Sequence, residues 1–336
     1  VKDLNLRSRI ENTHSRSLQL RARILADGWA AGTHRSERKG SGVEFAGHRN
    51  YTPGDDLRHL DRHALLRHGH LLVREFHTDT ERSVHLLIDL TPSMQYAGDA
   101  KTSLAHAPES KLSRALLLAG AIATVARDAR DSIGLTLVSN HRVETHMPHC
   151  GREAFQRILC ELENLDSKSL DHALLAPKGE KQGSPVNWQD VFFSLGSRLP
   201  RGTLLFFLSD FLDITPALAQ SLAALCTKGR LVRATQILTP AEVDFPFTGP
   251  LRFRSPETLK EIETDAQSVR ALYMDRLEKL TESSRSQLTA RGGSLLRSRT
   301  DNSPALVLRH LLAGSEPHKR ELAAWELKHS LESPTF

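Results

Sequence analysis

From residue 84 onward the chain alternates two textures. Short unbroken apolar runs, VHLLID (84–89), SIGLTLVSN (132–140), TLLFFLSD (203–210) and LVRATQIL (231–238), have the length and β-branched or aromatic content of buried strands. Between them lie stretches with helical spacing. SKLSRALLLAGAIATVARDARD (110–131) offers Ser110 or Ser113 as a cap, and GREAFQRILCELENL (151–165) and WQDVFFSLGSRL (188–199) follow. PALAQSLAALCTKG (216–229) reads as a helix ending at Gly229. A long amphipathic helix over 266–293, a strand over 294–301 and a helix over 303–314 with Pro304 near its start complete the pattern. Strands alternating with helices predict βαβ units, a mostly parallel sheet and helices on both faces.

The part before residue 81 reads differently. Leu18, Leu20 and Ile24 stand among arginines in a predicted helix ending near residue 30. A Gly-rich polar segment, the turn signal NYTPGDD (50–56) and the strand-like LLVREF (71–76) follow, a small β-rich segment over 31–80. The expected organisation is therefore an N-terminal helix (1–30), that small segment (31–80), a large α/β domain (81–314) and a polar tail (315–336). No internal repeat is visible.

Composition narrows the class. The 336 residues are 39% hydrophobic and 25% charged, as in a soluble globular protein, and the net charge of +5 is too small to indicate nucleic-acid binding. Cys150, Cys160 and Cys226 are odd in number and lack a C-x-x-C spacing, which argues against a disulfide framework and against a structural zinc site. The longest apolar run, ALLLAGAIATVA (115–126), is too short to span a bilayer. The start, VKDLNLRSRIENTH, has no apolar leader. A cytoplasmic protein is expected.

Two predicted strands end in acid, at Asp89 and Asp210. In an open α/β sheet, ligands collect beyond the carboxyl ends of the strands. If the two strands are neighbours, both carboxylates face one crevice, and Thr91 and Ser93 add hydroxyls from the turn after the first. These hard oxygens suit Mg²⁺ or Mn²⁺. So few carboxylates leave the cation under-neutralised and one coordination position open, which an acidic side chain of a partner could fill. The other reading is that the two Asp residues only cap turns.

Asp89-Leu-Thr91-Pro-Ser93 resembles the Asp-x-Ser-x-Ser motif of von Willebrand factor A domains, with Thr for the first Ser, and Asp210 resembles their late strand-end Asp. GVEFAGHRNYTPGDDLRHLD (42–61), LLVREF and ILTPAEVDFPFTGPLRFRSPET (237–258) are similar to the bacterial family called domain of unknown function 58, over roughly residues 16–313. The resemblance implies a von Willebrand A-like doubly wound sheet and a metal-ion-dependent adhesion site. It also implies a partnership with MoxR-type AAA+ ATPases in maturation or remodelling of other proteins. Such sites take a Thr from a middle loop. Here Val186 and Asn187 occupy its place, and Ser184 is the hydroxyl that would substitute. Arg62 follows Asp61 where the family tends to carry Trp.

Arg49, Asp55, Asp56, Arg58 and Asp61 crowd into 13 residues. They form either a partner-docking surface or an internal ion-pair and turn network. His59, His63, His68 and His70 lack HExxH and a third ligand, and read as surface residues. No G-x-S-x-G elbow, phosphate-binding GxxxxGK[ST] loop or G-x-G-x-x-G is present. The expected activity is a non-enzymatic adaptor. The alternative is a metal-dependent hydrolase or nuclease using the same strand-end acids.

Overall fold

The structure is a computed structural model that describes residues 17–30, 39–40, 44–52, 69, 71–77, 82–98, 110–169, 186–257 and 260–313. Two compact units emerge. One comprises the N-terminal helix α1 (Leu18–Ala30) and the chain from Ser83 onward, and the other lies between Gly32 and Arg82. The smaller unit is a three-stranded antiparallel sheet, with β3 (Leu72–His77) between β1 (Lys39–Gly40) and β2 (Glu44–Asn50). The ladder of β2 and β3 shifts register between Phe45 and Gly47.

The larger unit is built on six strands. Their order is β11 (Ser294–Arg299), β8 (Leu231–Leu238), β7 (Leu204–Ser209), β4 (Ser83–Asp89), β5 (Ser132–Val138), β6 (Val143–His149). Neighbours are parallel throughout except β6, which runs antiparallel along β5. Chain order therefore moves outward from β4 on one side and from β7 on the other. β4 and β7 meet at the point where the winding reverses, the usual place for a ligand crevice.

Strand side chains alternate between faces. Leu86, Ile88, Phe206 and Leu208 enter one core, covered by α1, α2 (Lys111–Asp128), α3 (Arg152–Ser169) and α8 (Pro304–Ala313). Leu87, Leu205 and Phe207 enter the other, with α4 (Trp188–Arg198), α5 (Pro216–Ala223) and α7 (Ala266–Thr289). Ser110 caps α2 through a bond from the Ser113 N–H. α2 is buried almost all round, because α1 packs on its outer side. Gly120 permits that approach, since a Cβ there would lie 3.0 Å from the Ala22 Cβ.

Three features depart from the sequence reading. Strand β6 was not anticipated: VETHMPH is polar, half-exposed and ends near Pro148, a composition tolerated at a sheet edge. Helix α5 ends at Ala223, six residues before Gly229. The Leu225 and Cys226 N–H groups bond three residues back, so the last turn tightens and unwinds. Between α6 (Pro240–Asp244) and α7 the chain forms an antiparallel hairpin, β9 (Pro250–Arg254) and β10 (Glu261–Asp265), outside the main sheet. The clustered histidines and the polar tail lie outside the described residues. No helix among the described residues is long and apolar enough to cross a membrane.

Candidate functional site

The parallel register Ile88↔Leu208 brings the ends of β4 and β7 side by side. Asp89 and Asp210 are both buried there. Asp89 Oδ1 accepts the Thr91 N–H at 2.9 Å and the Thr91 hydroxyl at 2.6 Å, a local turn closed by the carboxylate. Its Oδ2 accepts the Ser209 hydroxyl from the end of β7 at 2.7 Å. The Thr91 and Ser93 hydroxyl oxygens are 3.2 Å apart. Ser209, Asp89, Thr91 and Ser93 are thus joined by hydrogen bonds, and Asp210 follows Ser209 in the chain, near enough for its charge to act on Asp89.

Burial, with repulsion from Asp210, outweighs these hydrogen bonds and pushes the Asp89 carboxyl up to about 7. Asp210 faces a cation instead. Lys111, the first residue of α2 and fully buried, donates to Asp210 Oδ2 at 2.8 Å and to Glu242 Oε1 at 2.7 Å. Burial alone would lower the Lys111 ammonium, but the two carboxylates reverse this and hold it above the ordinary lysine value. Glu242 is fixed by a capping box, its Oε2 accepting the Thr239 N–H while Thr239 caps α6. Asp210 Oδ1 accepts the Leu212 N–H at 3.0 Å. Phe211, between them, is fully buried with φ 62°, a left-handed conformation that a non-glycine residue adopts only under constraint. The Ser209 hydroxyl accepting its N–H and its ring contact with Phe207 supply that constraint.

Two further acids border the group. Asp213 is raised by burial and by the charges of Glu257 and Asp210. Glu257, from the turn of the β9–β10 hairpin, accepts the Ser93 N–H at 3.0 Å and the Asn140 Nδ2–H at 3.0 Å. Asp89, Thr91 and Ser93 offer a carboxylate and two hydroxyls, the donor set of a hard divalent cation. Asp89 still has acceptor capacity, having taken three hydrogen bonds.

Ser184 lies outside the described residues, as do Asp55, Asp56, Arg58 and Asp61. Arg49 is on β2 of the smaller unit, opposite Val73. In the middle loop, Asn187 accepts the Gln189 N–H as the cap of α4, and the Val186 N–H bonds to the Asn140 carbonyl. Sequence reasoning missed Lys111, Ser209, Glu242, Glu257 and Asn140. Of these only Glu242 had a readable signal, the capping-box spacing Thr-Pro-Ala-Glu over 239–242.

Elsewhere among the described residues, Glu144, His146 and Glu161 gather ligand atoms within 4.8 Å of one another. Arg142 pairs with Glu144 along the edge strand, and His146 Nε2 lies 2.9 Å from Glu161 Oε2, a contact that joins that strand to α3.

The chain is similar to uncharacterized proteins of Mycobacterium bovis and Mycobacterium tuberculosis, 25% identical over 244 residues, 72% of this chain and 70% of each relative. Among solved structures it resembles the conserved hypothetical protein BatB from Bacteroides thetaiotaomicron, with TM-score 0.40, 16% identity and coverage of 69% of this chain and 97% of that one. An aerotolerance-related membrane protein from Bacteroides fragilis gives TM-score 0.40, 15% identity and coverage of 69% and 98%. Residues 47–283, well over half of the chain, match the sequence profile of the family described as protein of unknown function DUF58, and the chain belongs to that family.

Proposed function

We propose that this chain is a non-enzymatic interaction module that presents a hard divalent cation, Mg²⁺ or Mn²⁺, to a carboxylate of a protein partner. Asp89, Thr91 and Ser93 would hold the ion, and Asp210 would contribute its charge from behind. Ser184 is the remaining candidate ligand. The observation that carries the reading is the hydrogen-bonded chain Ser209–Asp89–Thr91–Ser93 at the point where the sheet reverses its winding. The raised Asp89 carboxyl supports it, because a buried carboxylate pressed by another acid gains from a cation placed against it. The mostly parallel sheet is consistent with the von Willebrand A-like domain that the motifs resemble.

Bound there, the ion would supply Lewis acidity toward an incoming carboxylate. The chain's own residues do the rest. Thr91 and Ser209 fix the rotamer of Asp89, and Lys111, one positive charge shared between Asp210 and Glu242, offsets part of their charge and leaves the crevice net negative. Among the described residues Asp210 is paired with Lys111, and this supports adhesion over a two-ion hydrolytic centre.

The proposed partner is a MoxR-type AAA+ ATPase acting in protein maturation or remodelling, with Arg49, Asp55, Asp56, Arg58 and Asp61 as a second docking surface. The test is Mn²⁺ titration by calorimetry with a pull-down of the ATPase in Mg²⁺ and in EDTA. Asp89→Ala should remove the Mn²⁺ heat and weaken capture as EDTA does. Capture indifferent to both treatments would defeat the metal mechanism.

A further inference from the structure

We propose that Glu144, His146 and Glu161 form a second divalent-cation site, in which an ion of the zinc class joins the edge strand β6 to helix α3. It is independent of the adhesion reading above.

The topology makes the grouping. Glu144 and His146 are two residues apart on β6 and project from the same face of the sheet. Their cross-strand partners on β5 are Leu137 and Leu135, which enter the core covered by α3. The two polar side chains therefore stand where that core reaches the sheet edge. Helix α3 packs Ile158, Leu159 and Leu162 into the same core, and Glu161, from the turn that carries them, reaches the strand.

One ligand atom of each residue lies within 4.8 Å of the other two, and His146 Nε2 is 2.9 Å from Glu161 Oε2. Ligand atoms on a tetrahedral zinc ion are roughly 3.4 Å apart, so small rotations of two flexible glutamates close the set. The side chains are 31%, 36% and 22% exposed, enough for an ion to arrive from solvent and for water to take a fourth position.

The donors set this site apart from the crevice at Asp89. An imidazole nitrogen with two carboxylates suits a borderline cation such as Zn²⁺, whereas carboxylate and hydroxyl oxygens alone suit Mg²⁺ or Mn²⁺. The electrostatics agree. Burial raises the Glu161 carboxyl, and a hydrogen bond and the charge of Glu144 add to this against the pull of His146. Two carboxylates held together in this way gain from a shared cation. Arg142 pairs with Glu144 Oε1 at 2.6 Å and competes with the ion for that residue.

The test is Zn²⁺ titration of the full chain by calorimetry in excess Mg²⁺, which keeps the hard-oxygen crevice from contributing, with amide exchange followed in parallel. Wild type should bind one equivalent that Glu161→Gln and His146→Gln bind at least tenfold more weakly. Arg142→Gln, which removes the competitor and keeps all three ligands, should bind at least as tightly as wild type. In wild type, Zn²⁺ should slow exchange in residues 143–149 at least threefold, a readout that needs no variant and that zinc held by histidines elsewhere would not move. Equal affinity in wild type, Glu161→Gln and His146→Gln would overturn the site. So would weaker binding by Arg142→Gln, or exchange in 143–149 that is indifferent to Zn²⁺.

Discussion

Replacing Asp89 by Asn tests the electrostatic core of the site. The folded chain holds the Asp89 proton up to about pH 7, against an ordinary value of 3.8. Three units at 1.36 kcal/mol each make about 4 kcal/mol an upper bound for the cost of ionising this group in the folded protein. Because the folded value is the higher one, the folded state binds the proton more tightly. Stability from this group is full below about pH 4 and is lost as pH rises through about 7. Asn keeps the acceptor for the Thr91 bonds and has no charge to lose. In EDTA, urea unfolding should therefore show Asp89→Asn gaining on wild type by roughly 1–4 kcal/mol between pH 5 and pH 8. His85 acts oppositely: burial, with the Arg198 charge, lowers it to about 3, so stability falls as pH drops below about 6.5. That trend is common to both proteins and cancels in their difference. Adding Mn²⁺ at pH 7 should stabilise wild type and leave Asp89→Asn unmoved. Parallel stability curves from pH 5 to 8 would mean that Asp89 is already satisfied as an anion, and the reasoning would fail.

Other outcomes follow from single contacts. Lys111→Met should destabilise by about 3–5 kcal/mol in chemical denaturation, because Asp210 and Glu242 lose their buried counter-ion, and adding Asp210→Asn and Glu242→Gln should recover much of the loss. Gly134→Ala should lower stability by about 1–3 kcal/mol or more, since its Cβ would meet His85 Nδ1 at 2.5 Å and backbone of β6 at 2.7 Å, and Tm measures it. Gly120→Ala should cost less, because there the contact at 3.0 Å is a single methyl on a helix that can shift.

The strand-by-strand alternation of apolar runs and amphipathic stretches was enough to fix the α/β class, the ends of most helices and strands, and the two acids that finish β4 and β7. Those are local properties: a run such as VHLLID is uninterrupted because both sheet faces are buried, and burial leaves its mark on each residue. Strand β6 left little mark, because an edge strand faces water along one side and can be polar. The hairpin left little, because its two short strands stand outside the main sheet and alternate exposed with half-buried residues. The site divides along the same line. Asp89, Thr91 and Ser93 lie within one turn, so their grouping is written in sequence. Asp210 joins them only because β7 settles in parallel register beside β4. Lys111, Glu242 and Glu257 join only because α2, α6 and the hairpin converge on that point from far along the chain. Which charges meet, and hence that Asp210 has an ammonium against it while Asp89 is held by hydroxyls and an N–H, is decided by distances through space, and no spacing along the chain encodes those.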